Sequence, residues 1–181
     1  MLSNHIYIIS VKFDWKYNIY LLGNFMDKFK LTSPSFKNDG YIPSIFTCDG
    51  ENISPTLAWK DAPKETQSFV LIMDDPDAPK GIWYHWILFN IPSYMHKIPE
   101  AVEQLPEGVK IGVNSWGKLK YEGPCPPPMG KHRYFFNLYA LDCFLPLDNG
   151  TTYQSIKESM EGHILDQAQL MARYERDYDW L

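Results

Sequence analysis

Gly123-Pro-Cys-Pro-Pro-Pro-Met-Gly-Lys-His-Arg-Tyr134 joins a run of prolines and glycines directly to a β-like segment that continues to Leu141. Each proline fixes its own φ, lacks an N–H and pushes the preceding residue toward extended geometry, so the loop can hold a surface shape without sheet bonding. Gly123 and Gly130 permit its turns. Alternation along the strand that follows puts His132, Tyr134 and Phe136 on one face and Arg133 and Phe135 on the other. An imidazole and a phenol therefore project together beside a stiff loop, as one wall of a small binding pocket would require.

Working outward, short runs of Val, Ile, Phe, Tyr and Trp are separated by Pro, Gly, Asn and Asp. Strands are predicted from about Lys28, around Ile42–Phe46, Leu57–Trp59, Ser68–Asp74, Tyr84–Ile91, Ile111–Asn114 and Tyr134–Leu141. This spacing predicts a mostly β domain, largely antiparallel. Helix is predicted at the C-terminus, with Thr151 as cap and Gln154 three residues on, then Ile156, Met160 and Ile164 in helical register. Gly162 should break it, leaving a second helix near His163–Tyr174.

The chain has 181 residues, enough for one domain with a substantial core, and 15% of them are aromatic. A net charge of −5 argues against the basic surface that nonspecific nucleic-acid binding needs. No apolar run reaches the ~18 to 20 residues of a membrane helix. Lys12, Asp14 and Lys16 interrupt the apolar N-terminus where a signal peptide would be uncharged. Residues 1–25 are read as an extension, with Met26 as an alternative start, and 26–181 as a single domain. Cys48, Cys125 and Cys143 form no C-x-x-C pair, which favours reduced thiols in a cytoplasmic protein. A Cys48–Cys125 bridge stays open, since both lie in loop-like sequence.

Asp74-Asp-Pro-Asp-Ala-Pro79 ends an apolar strand, where a scaffold can hold charges at a surface. Taken alone, Asp75 and Asp77 read as turn caps. His85 opens the next strand with Ile87 and Phe89 assigned to its face, and a lone histidine there is usually structural. Its conjunction with the Asp loop, His132 and Tyr134 changes the reading. Imidazole N–H, tyrosine O–H and loop N–H groups suit an anion, while a carboxylate can orient a histidine tautomer or accept from a ligand amine. Trp83 and Trp86 are either pocket wall or core, core being the commoner fate.

These motifs together are informative: Cys48-Asp-Gly-Glu-Asn-Ile-Ser-Pro55, Asp75-Pro-Asp-Ala-Pro79, His85-Trp-Ile-Leu-Phe-Asn-Ile-Pro92 and Gly123-Pro-Cys-Pro-Pro, followed by His132-Arg-Tyr134. In that order they resemble the phosphatidylethanolamine-binding protein family, in its bacterial and archaeal Raf-kinase-inhibitor-like branch, from about Phe29 to the C-terminus. The resemblance implies a large antiparallel sheet packed on a smaller one with peripheral helices. It implies an anion pocket formed by Asp75, Asp77, His85, His132 and Tyr134, with Gly123 and Pro124 as a loop edge whose backbone faces the ligand. The implied ligand is phosphate, a phosphorylated head group or a phosphorylated side chain, without catalysis, metal or cofactor. A kinase-like protein partner and a homodimer also follow from the resemblance alone. The alternatives are a hydrolase, metal-dependent or acid–base, using the same Asp, His and Tyr groups, and a pure protein-binding module.

Overall fold

The computed structural model describes residues 28–128 and 130–176. The proposed extension and the alternative start at Met26 lie outside them. In chain order the elements are β1 (Lys30–Thr32), β2 (Gly40–Tyr41), a 3₁₀ turn (Ser44–Phe46), β3 (Leu57–Lys60), β4 (Ser68–Asp75), β5 (Trp83–Pro92), β6 (Lys97–Ile98), β7 (Lys110–Ile111), β8 (His132–Leu141), α1 (Tyr153–Met160) and β9 (Ile164–Tyr174). A six-stranded sheet runs β2-β9-β8-β4-β5-β7, and a three-stranded sheet runs β1-β3-β6. The fold is mostly β, and within the large sheet only the short β2–β9 pairing is parallel.

The large sheet is buried on both faces at β4 and β5, while the outer face of β8 and β9 stays partly exposed. Phe69, Leu71 and Met73 of β4, with Tyr134, Phe136 and Leu138 of β8, face the small sheet and join Leu31, Leu57 and Trp59 there. Val70 and Ile72 point the other way and pack with Ile87, Phe89, Ile156 and Met160 beneath α1. Central strands covered on both sides lose polar alternation, which is why β4 reads as one apolar run.

Two irregularities in β5 keep these faces in order. Leu71 pairs with Leu88 while Phe69 pairs with Ile91, so β5 carries an extra residue near Asn90. Asn90 adopts φ +56° and its side chain bonds both N–H and C=O of Leu145, at 2.7 and 2.9 Å. The bulge resets parity, returning Ile91 to the face that Leu88 occupies. The second extra residue is His85, because Met73 pairs with Trp86 and Asp74 with Tyr84.

Several sequence-based expectations are corrected. His163–Tyr174 is no helix: β9 pairs with β8 from Leu141↔Ile164 to His132↔Tyr174. Its Ala, Gln, Leu and Met favour helix intrinsically, but Ala168, Leu170 and Ala172 are buried in alternation, and tertiary pairing overrides propensity. Ile42–Phe46 is not a strand; Pro43 opens the 3₁₀ turn instead. β7 ends at Ile111, before the predicted Asn114. Thr152, one residue beyond the predicted cap, accepts from the Ser155 N–H at 3.3 Å, and Gln154 bonds Glu158 rather than closing a capping box. Gly162 ends the helical segment as expected, at φ +82°.

On the α1 face Asp74 accepts from Asn137 Nδ2 at 2.7 Å, and Asn137 Oδ1 accepts from Gln169 at 2.7 Å. Burial pushes the Asp74 carboxyl up from 3.8 to about 6, offset by the Asn137 bond and reinforced by the charge of Asp75. A raised folded value means that the native state holds this proton more tightly than the unfolded chain. The favourable contribution is complete below pH 3.8 and lost as pH rises to about 6. Asp74→Asn, which keeps the acceptor for Asn137, should therefore raise the melting temperature at pH 7 and change it little at pH 3.5. Equal effects at both pH values, measured by thermal unfolding, would rule this linkage out.

Candidate functional site

The paired ends of β4 and β8 bring Asp75 and His132 together. His132 Nδ1 donates to Asp75 Oδ2 at 2.7 Å, and both side chains are almost wholly buried. The other oxygen of Asp75 accepts the Asp77 N–H at 2.9 Å. Asp75 therefore uses both oxygens to hold an imidazole tautomer and a turn.

His85 reaches the same place by the bulge. In regular alternation it would share the face of Ile87 and Phe89, as the sequence reading assigned it, yet those two lie under α1. The extra residue re-aims His85 toward Asp75 and His132, with which it lines one cavity of about 290 Å³. Its Nδ1 donates to the Glu122 carbonyl at 2.7 Å. Burial depresses its pKa; the carbonyls of Glu122 and Gly123 and the charges of Asp75 and Glu122 pull the other way without offsetting that. His85 is thus neutral near pH 7, with Nε2 outside this bond. Trp83 and Trp116 complete an aromatic wall, edge to face at 5.4 Å, and Trp116 meets His85 at 4.9 Å. Lys80 adds a cation to the lining, and Cys125, Pro126 and Pro127 supply a further stretch of wall.

The remaining predicted residues have contacts within the protein. Asp77 is held by Arg133, whose backbone N–H, Nε and Nη2 all donate to it at 2.7 to 2.9 Å. The Arg133 bonds hold its carboxyl down at about 2 and leave it fastening the loop. Tyr134 is fully buried and lies outside the cavity lining. Its ring packs edge to face on His85 at 5.3 Å, so it supports that imidazole from below. Its hydroxyl makes no well-formed hydrogen bond among the described residues; burial, then the Asp75 charge, pushes its pKa up.

Backbone groups of Gly123 and Pro124 are engaged within the protein as well. The Gly123 N–H donates to Asn52 Oδ1 at 2.8 Å, and the Pro124 carbonyl accepts from the Cys48 N–H at 3.1 Å. They belong to a clamp. Asn52 also donates to Glu122 at 2.9 Å, and the Tyr121 hydroxyl donates to the Phe46 carbonyl at 2.7 Å. Cys48 and Cys125 are disulfide-bonded across the same contact, with Cα atoms 5.4 Å apart. The expectation of three reduced thiols is therefore wrong, and the argument it gave for a cytoplasmic location falls away. Cys143 alone is free among the cysteines.

Trp86 is core, packed on Tyr121, whereas Trp83 is wall. Trp116 and Lys80 were missed by the sequence reading. The signal for Trp116 was its turn, Asn114-Ser-Trp-Gly-Lys118, where Asn114 Oδ1 accepts from the N–H groups of Trp116 and Lys118 and so presents the indole. Among the described residues, the group of three His, Cys or acidic side chains close enough to share a metal ion is Asp142, Cys143 and His163. That group stands at the far end of β8, away from the cavity.

A family model described as phosphatidylethanolamine-binding protein matches residues 32–175. The chain belongs to that family. It is 50% identical over 149 residues to a UPF0098 protein of Methanothermobacter thermautotrophicus, covering 81% of this chain and 98% of the relative. It is 44% identical over 171 residues to a UPF0098 protein of Aquifex aeolicus, covering 87% and 100%. Among solved structures it is similar to a phosphatidylethanolamine-binding protein homolog, CT736, of Chlamydia trachomatis, with TM-score 0.78, 39% identity and coverage of 83% and 99%. It is also similar to YbcL of E. coli, described as a member of the mammalian family, with TM-score 0.79, 29% identity and coverage of 83% and 100%. Membership in the phosphatidylethanolamine-binding protein family supports a ligand-binding protein, and no described helix is long and apolar enough to cross a membrane.

The clamp explains the glycine in the family-like Gly123-Pro motif. A Cβ at position 123 would collide with the Phe46 carbonyl and sit 2.8 Å from Asn52 Oδ1. Because backbone cannot yield as a flexible side chain would, Gly123→Ala should cost about 2 kcal/mol or more. Chemical denaturation checks this, and a loss under about 0.5 kcal/mol, the range of ordinary surface changes, would show that the clamp is not rigid.

Proposed function

We propose that the protein is a noncatalytic binding protein whose cavity takes phosphate or the phosphoryl group of a small ligand or head group. The observation that carries this reading is the pair of buried imidazoles, His85 and His132, whose Nδ1 atoms are committed to internal acceptors. Each has Nε2 left for a ligand in the cavity they share with Lys80. The nearby carboxylates fit this because their charge is already engaged, Asp75 by His132 and a backbone N–H, Asp77 by Arg133. Neutral His85 suits a protonated phosphate oxygen, for which its Nε2 is the acceptor, while Lys80 supplies positive charge. The two tryptophans leave room for an apolar or cationic portion of the same ligand.

Inorganic phosphate and phosphoethanolamine, titrated separately against the full chain, should both shift the ring resonances of His85 and His132 at millimolar concentration. A hydrogen bond to a charged group contributes roughly 1.5–3 kcal/mol, so His132→Ala or His85→Ala should weaken binding about tenfold or more. A phosphoserine peptide binding far more tightly than phosphoethanolamine would make a protein side chain the ligand. Lack of ring shifts with every probe would sink the proposal. Turnover of a phosphate monoester abolished by His132→Ala would replace it with the hydrolase reading.

A further inference from the structure

We propose that the Cys48–Cys125 disulfide is a redox modification site that sets the state of the pocket wall. This rests on reading the cavity as the binding site. Cys125 lies on the cavity wall beside Pro126 and Pro127, and both cysteines of the bridge are solvent-exposed. An exposed disulfide is open to attack by a thiolate, which separates labile bridges from buried structural ones.

The wall depends on that bond for a reason written in the sequence. Pro124, Pro126, Pro127 and Pro128 have no N–H to donate, so this stretch has few means of being hydrogen-bonded into place. Upstream, Tyr121 to Pro124 is fixed by Phe46, Asn52 and Cys48 through hydrogen bonds that do not involve sulfur. Downstream, His132 and Arg133 are fixed by Asp75 and Asp77. Between them, among the described residues of Cys125–Gly130, the disulfide is the one covalent or hydrogen-bonded tie to another segment. The bond from the Gly130 N–H to the Pro127 carbonyl is internal.

The chemistry is thiol–disulfide exchange with a dithiol. One thiolate of the reductant attacks a bridge sulfur, giving a mixed disulfide and releasing the other cysteine as thiolate, which takes up a proton. The second thiol of the reductant resolves the intermediate as its own disulfide. The two electrons lost by the dithiol thus appear as two protein thiols. Reduction releases the Cys125–Pro127 wall while the clamp and both sheets stay in place. Ligand affinity falls because the wall must now be ordered on binding.

The test compares the oxidised full chain with the chain reduced by excess dithiothreitol, by NMR, with phosphoethanolamine as probe. Reduction should weaken binding about tenfold or more, shift the His85 and His132 ring signals even without probe, and leave the amide signals of β4 and β8 unchanged. Reoxidation should restore affinity, and Cys48→Ser should show the weak state under both conditions. Equal affinity in the two states would overturn the proposal, as would a bridge that resists dithiothreitol in the folded protein. Loss of the whole sheet on reduction would also overturn it, since the bond would then hold the fold rather than the wall. If neither state binds the probe, the phosphoryl reading fails and the probe-free ring signals decide this one: a shift on reduction supports wall control, unchanged signals reject it.

Discussion

The register of β4 against β8 is the constraint on which everything else rests. The pairs run from Ser68↔Leu141 to Asp74↔Phe135 in the middle of the six-stranded sheet. A slip by one residue would turn the buried set of β8, Tyr134, Phe136 and Leu138, away from the core and put Arg133 and Asn137 into it, so the alternation of β8 specifies the pairing strongly. The same register ends β4 where β8 begins. Asp75 and His132 therefore meet at a sheet end, held by backbone pairing behind them, and their bond inherits the rigidity of two cores.

His85 shows how a sheet can supply a cavity-lining side chain without giving up its own order. The face toward the small sheet is taken by Trp86 and Leu88, and the face toward α1 by Ile87 and Phe89. A regular strand would have buried the imbalance of a histidine under the helix. One unpaired residue frees His85 from that choice, and the Asn114–Glu122 segment receives it: Glu122 bonds its ring and its carbonyl, and Ser115 bonds Tyr84. The cost is an interrupted ladder, which pairing with that segment compensates.

The long strands were legible because both local preference and burial pointed the same way in Ser68–Asp75, Trp83–Pro92 and His132–Leu141. β9 was not, since its residues favour helix in isolation and only the open edge of β8 makes them a strand. Among the cavity residues, Asp75, His85 and His132 were legible as motif members and the common face of His132, Tyr134 and Phe136 as alternation, but the face of His85 was not. A bulge leaves no clear trace in a run as apolar as Trp86-Ile-Leu-Phe89. Asp77, Gly123 and Tyr134 were assigned to ligand contact because their residue types can make it. Their partners, Arg133, Asn52 and the His85 ring, are brought up by tertiary structure from 56, 71 and about 50 positions away, and spacing along the chain does not encode such distances. Trp116 was hidden for the converse reason, as a turn residue is conspicuous only once the turn faces a cavity.

These roles divide the pocket into parts of different stiffness. The polar part of the lining, Asp75, His132 and His85, is buried and hydrogen-bonded to protein groups, with Tyr134 packed against the His85 ring outside the cavity, so its geometry is fixed in advance and little ordering cost would fall on binding there. The proline wall is stiff internally, since each ring fixes φ, but a stiff segment still moves as a body unless its ends and middle are tied. Its ends are tied by hydrogen bonds and its middle by sulfur. Asp75, His85 and His132 therefore sit on the part that is cross-bonded between buried strands, and the enclosing surface sits on the part tied to another segment by the Cys48–Cys125 disulfide. The two imidazoles thus take their positions from strand pairing and side-chain bonds, whereas the enclosing wall takes its position from a covalent bond between two segments that belong to neither sheet.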